Sequence, residues 1–305
     1  MEASEYRRNF HLSSRAARSQ FVVARGFCGD LAAQKRLGKM SHAQRIGVIG
    51  GNGWLGSALI RAAVDRGVVA LEQLTVSSRS DNTGAINDLP VHWTHDNREL
   101  VQRSDIVILS VRPAEFDDVS IDLSNKLAVS VMAGVSCATI SGKTNATRVV
   151  RAIPNAAAAI GQSFTPWFAS PQVGARDKAV VQSFFEASGE AVEAPEESHI
   201  DYCVVLTGSG AAFPALLAEA LIAEAVAQGL PRDFAIRAAK GVLCGASQLF
   251  HGSETDTAEI VREMIDYKGT TAAALLAMKE NGFDQAVAAG LQAAAKKATM
   301  IASGS

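Results

Sequence analysis

From Arg45 onward, short continuous runs of apolar residues alternate with longer stretches in which apolar residues recur at helical spacing. Apolar runs of this length are typical of strands that are buried on both faces of a sheet. Their alternation with helices indicates a parallel sheet with crossover helices. The strands are predicted over residues 46–49, 74–77, 105–111 and 128–132 and from residue 149 onward. The pattern therefore predicts an α/β domain with a doubly wound, mostly parallel sheet over residues 45–196.

After about residue 196 the strand pattern stops and helical spacing takes over. Phe213, Leu216, Leu217, Ala220 and Leu221 fall on one face of a helix. Further helices are predicted over residues 234–250, 258–266, 270–281 and 283–301. Alanine is abundant in this half of the chain, and such a domain tends to bury its remaining face against a second copy. Residues 197–305 are therefore predicted to form an all-helical dimerisation domain.

Residues 1–44 carry eight Lys or Arg against three acids and have no apolar core of the kind that a secretory signal needs. Their arginines and serines partly fit an organellar transit peptide, whereas Glu2 and Glu5 argue against one. The interpretation we favour is a disordered extension or a start assigned too early, with Met40 as a natural beginning. The protein is then expected in the cytoplasm, and organellar import through residues 1–39 is the alternative.

Charge and composition narrow the range of partners. The net charge of -2 gives no reason to expect nucleic acid or an anionic membrane as a partner. The richest apolar stretch, residues 211–227, is interrupted by a proline and two glutamates and is too short to span a bilayer. The four cysteines stand far apart without a C-x-x-C pair, so neither disulfides nor a metal site are predicted. His92 and His95 lack a cysteine or paired carboxylate beside them and are interpreted as surface residues.

A glycine-rich motif follows the first predicted strand. Gly51, Asn52, Gly53, Trp54, Leu55 and Gly56 make G-x-G-x-x-G, and a helix is predicted over residues 57–69. In a dinucleotide-binding turn, the glycines let the strand turn sharply, let the backbone approach a pyrophosphate and let helix and strand pack closely. The N-terminus of the helix adds N–H groups and the positive end of a dipole. The motif predicts nucleotide binding on a Rossmann-type sheet, and a glycine-rich turn without a ligand is the alternative.

The end of the second predicted strand bears on the choice of cofactor. NAD-preferring sites carry Asp or Glu about twenty residues beyond the glycines, where the ribose hydroxyls bind. Ser78 and Arg79 hold that place here, with no acid before Asp81. An arginine and hydroxyls can bind a 2′-phosphate that a carboxylate would repel. NADP(H) is therefore predicted over NAD(H), and a solvated arginine is the alternative.

Other strand ends should lie at the same edge of the sheet as the glycine motif, where the nicotinamide half of a cofactor would lie. They supply further predicted cofactor contacts, and ordinary turn chemistry is the alternative at Asn155. The residues are Val111, Arg112, Pro113, Ala133, Gly134 and Asn155.

Six motifs in order resemble the pyrroline-5-carboxylate reductase family over residues 45 to about 298. They are the glycine motif, V-R-P at 111–113, S-V-M-A-G-V at 130–135, R-A-I-P-N at 151–155, T-G-S-G-A-A-F at 207–213 and K-G-T-T at 268–271. The resemblance implies a Rossmann domain followed by a helical domain that interlocks with a partner, in dimers that can assemble into larger rings. It also implies the reduction of a cyclic imine that carries a carboxylate to proline, with NAD(P)H as the reductant.

The resemblance also assigns the substrate pocket, where the sequence departs from the family pattern. It implies that Thr271, or its neighbour Thr270, orients the imine nitrogen, and that Ser209, Gly210, Lys268 and Gly269 contact the substrate. The substrate carboxylate would bind N–H groups at the start of the helix near Gly269. A threonine that only caps this helix is the alternative. Lys268 stands where the family has glycine, so it either favours a more acidic imine or lies at a surface turn.

Three functions are compatible with these features. The first is an NADPH-dependent pyrroline-5-carboxylate reductase. The second is a reductase of another small imine or keto compound, of the kind that the related β-hydroxyacid dehydrogenases reduce. Those relatives place a lysine on the matching helix as the acid, and residues 213–226 contain no lysine, which weakens the case for a keto substrate. The third is a non-catalytic NADP(H)-binding protein, which the altered pocket motifs would permit.

Overall fold

The computed structural model describes residues 44–79, 86, 88–250 and 255–302 of the chain. The described residues form eight strands in one sheet. The strands are β1 (Ile46–Ile49), β2 (Leu74–Ser77), β3 (His92–Thr94), β4 (Ile106–Leu109), β5 (Leu127–Ser130), β6 (Arg148–Ala152), β7 (Ser163–Ala169) and β8 (Gly189–Glu193). The predicted extension before residue 44 lies outside the described residues.

Ten α-helices accompany these strands in the described part of the chain. They are α1 (Trp54–Asp65), α2 (Asn97–Arg103), α3 (Cys137–Thr144), α4 (Ala175–Glu186), α5 (Glu197–Leu206), α6 (Ala212–Ala227), α7 (Arg232–Lys240), α8 (Thr257–Asp266), α9 (Thr270–Glu280) and α10 (Phe283–Ala302). Short 3₁₀ turns occur at Leu71–Gln73, Pro113–Asp118, Ala156–Ile160 and Ala246–Leu249, and a π-turn at Gly241–Gly245.

The strand order in the sheet is β3-β2-β1-β4-β5-β6-β7-β8. All neighbours are parallel except β6 and β7. The chain thus runs outward from β1 to β3 and then returns to continue from β4 on the other side. This reversal of strand order opens a crevice outside the carboxyl ends of β1 and β4, where open α/β sheets bind ligands.

Both faces of the sheet are covered, which explains why its central strands are continuously apolar. Successive side chains of a strand point to opposite faces. On β4, Ile106 and Ile108 join a core with α1 and α4, whereas Val107 and Leu109 join a second core with α2 and α3. These observations confirm the predicted fold class, a doubly wound, mostly parallel sheet followed by helices.

Helices alone follow β8 among the described residues. Helix α5 packs against β6, β7 and α10, and α6 packs against α7. All 16 residues of α6 are described, and none of them is buried, although the helix is strongly apolar. Phe213, Leu216 and Leu221 are among its exposed side chains.

Several predicted boundaries are wrong. Helix α1 begins at Trp54 instead of Ser57 and ends at Asp65, because Gly53 takes the N-cap and the chain turns at Gly67. The predicted helix over residues 234–250 is regular only to Lys240, where two glycines, which are weak helix formers, introduce a π-turn and a 3₁₀ turn.

The strands at the two edges of the sheet, and β7 next to one of them, were not predicted from the sequence. His92, interpreted as a surface residue, lies half-buried in β3, and its Nε2 is 2.7 Å from Glu99 Oε1. His95 is exposed, as expected. Strands β7 and β8 were missed because they mix polar and apolar residues, so neither carries the continuous apolar run of the central strands.

Candidate functional site

A cleft of about 810 Å³ lies at the carboxyl ends of the central strands. Ile49 pairs with Ser77 on β2 and with Leu109 on β4, so the chain leaves all three strands at one level. The segments that follow these strands form most of the wall. The lining residues are Ile49, Gly50, Asn52, Gly53, Trp54, Leu55, Ser77, Ser78, Arg79, His95, Asn97, Ser110, Val111, Arg112, Glu115, Asp118, Val119 and Val131.

Gly50, which the sequence reasoning left out, makes the sharp turn after β1. Its φ is +77°, and an added Cβ would lie 2.4 Å from the Ser110 carbonyl oxygen. A side chain is therefore excluded on two grounds, the left-handed backbone and the close approach of the loop after β4. The Gly53 N–H donates to the Gly50 carbonyl at 3.0 Å and closes the turn. The sequence signal was the glycine directly after the strand, which the chosen G-x-G-x-x-G register passed over.

Helix α1 starts at the floor of the cleft. Gly53 is its N-cap, and Trp54 and Leu55 form its first turn. The first N–H groups of a helix have no partner within the helix, so this end is suited to an anion such as a pyrophosphate. Asn52, Gly53, Trp54 and Leu55, all predicted cofactor contacts, line the cleft here.

Gly51 and Gly56, also predicted cofactor contacts, lie beneath the loop and not in the cleft wall. An added Cβ at Gly51 would lie 2.6 Å from Val76 Cγ1, and one at Gly56 would lie 2.9 Å from the Gly51 Cα. These two glycines let the loop, the helix and the sheet approach each other closely. Gly51 and Gly56 therefore shape the site without lining the cleft.

The end of β2 forms the second wall. Ser78 and Arg79 line this wall, and both were predicted cofactor contacts. His95 and Asn97 also line it, although they were not predicted as contacts. His95 Nδ1 donates to the Ser78 carbonyl at 2.7 Å. The Ser77 hydroxyl donates to Asn97 Oδ1 at 2.6 Å.

Arg79 reaches across the cleft. Its Nη2 lies 2.6 Å from Glu115 Oε1, on the turn that follows β4. The hydrogen bond from Arg79 holds the pKa of the Glu115 carboxyl below its usual range. Glu115 was not predicted, and the two residues are 36 positions apart, so sequence spacing carried no sign of the contact.

The remaining predicted cofactor residues follow three different strands, and only two of them, both after β4, line the cleft. Val111 and Arg112 line the cleft, whereas Pro113 starts the adjoining 3₁₀ turn and does not line it. Ala133 and Gly134 follow β5, outside the lining of this cleft. Asn155 follows β6, and its Oδ1 accepts a hydrogen bond from the Ala157 N–H at 2.9 Å, so this side chain caps a turn.

The predicted substrate residues Ser209 and Gly210 lie in the turn between α5 and α6. The turn packs against the end of β6, because a Cβ added at Gly208 would lie 3.2 Å from Ile153 Cγ2. Since β6 is parallel to β1, β4 and β5, this turn adjoins the sheet edge that carries the cleft. Both residues are half-buried and lie outside the cleft lining.

The second group of predicted substrate residues lies at the start of α9. Gly269 is the N-cap, and Thr270 and Thr271 are the first two helical residues, so neither threonine holds the N-cap position. Both threonines and Lys268 are exposed, and none of them lines the cleft in the single chain. Lys268 adopts φ 58°, a left-handed conformation that favours glycine.

An ion cluster around the buried Arg151 joins the sheet to the helical region. Arg151 on β6 is 1% exposed, and its Nη atoms lie 2.7 Å from Glu197 Oε1 and from Asp201 Oδ1 on α5. Burial raises the pKa of Glu197, but hydrogen bonds from the Cys137 N–H and Arg151 outweigh it and hold that pKa below its usual value. Burial and the charge of Glu197 raise the pKa of the Cys137 thiol to about 12. This cluster fixes α5, and with it the turn that carries Ser209.

Two other kinds of site are absent from the described residues. They contain no group of three or more His, Cys, Asp or Glu placed to hold a metal ion. Within the same residues, no helix combines the length and apolarity needed to cross a membrane.

Two family models match the chain, one on each side of the last strand. The model for NADP oxidoreductase, coenzyme F420-dependent, matches residues 45–134. The model for pyrroline-5-carboxylate reductase dimerisation matches residues 197–301. The first match contains the glycine turn and Arg79, and the second contains Ser209 and Thr271.

Individual relatives extend the match to most of the chain. The pyrroline-5-carboxylate reductase of Vibrio alginolyticus is 32% identical over 218 residues, with 69% of this chain and 80% of the relative covered. That of Pseudomonas aeruginosa is 30% identical, with 85% of this chain and 97% of the relative covered. The crystal structure of Plasmodium falciparum pyrroline carboxylate reductase with NADP bound has a TM-score of 0.72 at 22% identity and shows the same fold over 85% of this chain and 98% of that one. The resemblance seen in the six motifs thus extends over most of the chain and most of each relative. The chain belongs to the pyrroline-5-carboxylate reductase family.

Proposed function

We propose that this protein reduces 1-pyrroline-5-carboxylate to proline with NADPH as the reductant. The observation that carries the proposal is the cleft over the start of α1, with Gly50 at its turn and Arg79 on its wall, in a chain of this family. The two relatives named above are pyrroline-5-carboxylate reductases, and the chain matches 80% and 97% of their lengths.

The residues of the cleft fit a dinucleotide. The turn at Gly50 lets the chain leave β1 closely packed against the Ser110 carbonyl, and the first N–H groups of α1 suit the pyrophosphate. Ser78 and Arg79 suit a 2′-phosphate, which supports NADP(H) over NAD(H). The nicotinamide half then lies toward the ends of β5 and β6, beside the turn that carries Ser209. In this proposal residues 45–196 bind the cofactor, and residues 197–305 bind the substrate and a second subunit.

The chemistry requires little from the protein beyond position. When bound, NADPH supplies a hydride to the carbon of the C=N bond. A protonated imine is already an electrophile, so the chain has to hold it in place and exclude water. The N–H groups at the start of α9 suit the substrate carboxylate, and the Thr271 hydroxyl, or that of Thr270, orients the imine nitrogen. Ser209 and Gly210 contribute the facing polar wall.

A second copy of the chain completes the substrate half of the site in this proposal. Thr270, Thr271 and Lys268 are exposed in the single chain. They belong to a helical region that matches a dimerisation model and leaves the apolar helix α6 uncovered. A homodimer therefore covers α6 and brings α9 to the cleft of one of the two subunits, and larger assemblies of dimers are the further expectation.

The proposed location is the cytoplasm. Cys137, Cys203 and Cys244, the cysteines among the described residues, are free thiols, as suits a reducing compartment.

The test is steady-state oxidation of NADPH with 1-pyrroline-5-carboxylate, with NADH in parallel. We expect turnover with both cofactors and a higher kcat/KM for NADPH. Thr271→Val should lower kcat/KM for the imine by about tenfold, the equivalent of one orienting hydrogen bond. Thr270→Val, one residue away, is measured beside it, and a loss in only one of the two variants identifies the threonine that orients the imine nitrogen. A protein that binds NADPH but turns over no imine would contradict the proposal and support a non-catalytic role.

A further inference from the structure

An ion pair spans the adenosine side of the cleft, between the segment after β2 and the turn after β4. Strand β1 lies between these two strands, so they stand about 9 to 10 Å apart at the usual strand spacing. Arg79 Nη2 and Glu115 Oε1 close this gap at 2.6 Å, over the glycine turn that leaves β1. Both residues line the cleft. The pair therefore lies within the space that the adenosine half of a dinucleotide would take.

Glu115 is the anchored member of this pair. Its N–H donates to the Arg112 carbonyl at 2.9 Å, and the next residue, Phe116, is buried in the core. Lys143 Nζ lies 5.4 Å from the centroid of the Phe116 ring and donates to the Asp117 carbonyl at 2.8 Å. The Glu115 side chain is 30% exposed, whereas that of Arg79 is 75% exposed. Arg79 is thus the partner that can turn to another anion while the carboxylate stays in place.

A 2′-phosphate and a carboxylate compete for the same donors. The planar guanidinium group of arginine matches both anions, and both bonds are charge-assisted. Glu115 is ionised at neutral pH, as an ordinary glutamate is, and its hydrogen bond from Arg79 lowers its pKa further. NADPH brings a second anion that can replace this carboxylate, whereas NADH brings none at the 2′ position.

We propose that Glu115 is the resident counter-ion of Arg79, that the 2′-phosphate of NADPH displaces it, and that Glu115 thereby sets the ratio of affinities for NADPH and NADH. Glu115 lowers the affinity for NADPH, since each binding event has to break the pair. The affinity for NADH depends little on it, because Arg79 keeps its partner in that complex. This inference rests on the proposed assignment of the cleft to a dinucleotide and requires no turnover.

The test is a set of equilibrium titrations on the full chain with Glu115→Gln. Dissociation constants for NADPH and NADH are measured by energy transfer from tryptophan to the cofactor, with Trp54 in the cleft wall as the near donor. Because the pair is largely exposed, we expect the Kd for NADPH to fall by about two- to fivefold, the range for exposed ion pairs. The Kd for NADH should change by less than about twofold. Adenosine 2′,5′-bisphosphate and 5′-AMP, titrated by calorimetry, should repeat the difference for the adenosine end alone.

Two controls separate the ion pair from the general charge of the cleft. Asp118→Asn removes the same charge from the same cleft, and we expect it to change the NADPH to NADH ratio less than Glu115→Gln. In an Arg79→Gln background, the effect of Glu115→Gln on NADPH should disappear. Weaker NADPH binding in Glu115→Gln, an unchanged ratio, or a gain that persists without Arg79 would each overturn the inference. Tight NADPH binding without turnover would refute the proposed reaction and leave this test intact.

Discussion

Replacing Gly50 by alanine would add one methyl group where the turn after β1 meets the segment after β4. The new Cβ would lie 2.4 Å from the Ser110 carbonyl oxygen, which is about 1 Å inside ordinary contact. That oxygen cannot easily withdraw, because the Ser110 N–H is bonded to the Ile49 carbonyl at 2.9 Å. The loops after β1 and β4 would therefore have to separate.

Two terms contribute to the loss of stability. A left-handed backbone at a residue with a Cβ costs about 1–2 kcal/mol. Forcing an extra methyl group into close-packed surroundings costs about 1–3 kcal/mol more. Gly67→Ala is the matched control, since Gly67 has φ +65° and an added Cβ there would meet no atom within 4 Å. Gly67→Ala should therefore show the first term alone.

The assay compares both variants with the parent protein by urea unfolding and by NADPH titration. We expect Gly50→Ala to lose more stability than Gly67→Ala by about 1–3 kcal/mol. Only Gly50→Ala should weaken NADPH binding, by about tenfold or more, because the loop under the pyrophosphate has moved. Equal losses of stability in the two variants, or unchanged NADPH binding in Gly50→Ala, would refute the assignment of Gly50 as the glycine that shapes the cleft.

Three further predictions concern the ion cluster and the start of α9. Arg151→Met should destabilise the protein by about 2–4 kcal/mol, because it leaves the partly buried Glu197 without its cation; adding Glu197→Gln should restore part of that loss in urea unfolding. The pKa of Glu197 is lowered by folding, so its contribution to stability is present above its ordinary value of 4.5 and is lost as the pH falls through the lower folded value. The free energy of unfolding should therefore fall more steeply below about pH 4.5 in the parent than in Glu197→Gln, and parallel curves would contradict this. Lys268→Gly should raise the free energy of unfolding by about 1 kcal/mol, because it relieves a left-handed backbone. If the same variant leaves the ratio of kcat/KM for pyrroline-5-carboxylate and for dicarboxylic imines unchanged, Lys268 does not select the substrate.

The central strands could be predicted from the sequence because burial on both faces leaves a continuous apolar run. Predicted residues 74–77 coincide with β2, whose four residues are all buried. The edge strand β8 carries two glutamates and has mostly exposed or half-buried residues, so it has no such pattern. Continuous apolar runs therefore identify the central strands, which are covered on both faces, and miss β3, β7 and β8 at and next to the edges of the sheet.

The glycine motif shows a second limit. Residues 50–56 contain four glycines, and one inserted residue allows two registers for the motif. Which glycine turns the chain is decided by the carbonyl of Ser110, sixty residues away, and not by the local spacing. The same holds for the pairs Arg79–Glu115 and Arg151–Glu197, which only the order of strands in the sheet brings together.

The substrate half of the site is the part that local sequence patterns predict least well. The motif at 268–271 marked a functional segment, but its threonines are exposed in the single chain and lie outside the cleft lining. Their partners in the proposed site belong to another subunit, and no sequence period encodes such a contact. The prediction that Thr271 orients the imine nitrogen is therefore tested by the variants Thr271→Val and Thr270→Val.

The most direct measurement is the fate of the transferred hydrogen. The protein is mixed with 1-pyrroline-5-carboxylate and NADPH that carries deuterium at the transferred position, and the product is analysed by mass spectrometry. The account predicts proline that carries one deuterium on the former imine carbon, in an amount equal to the NADPH consumed. NADPH that binds without forming proline, or proline that carries no deuterium, would contradict it.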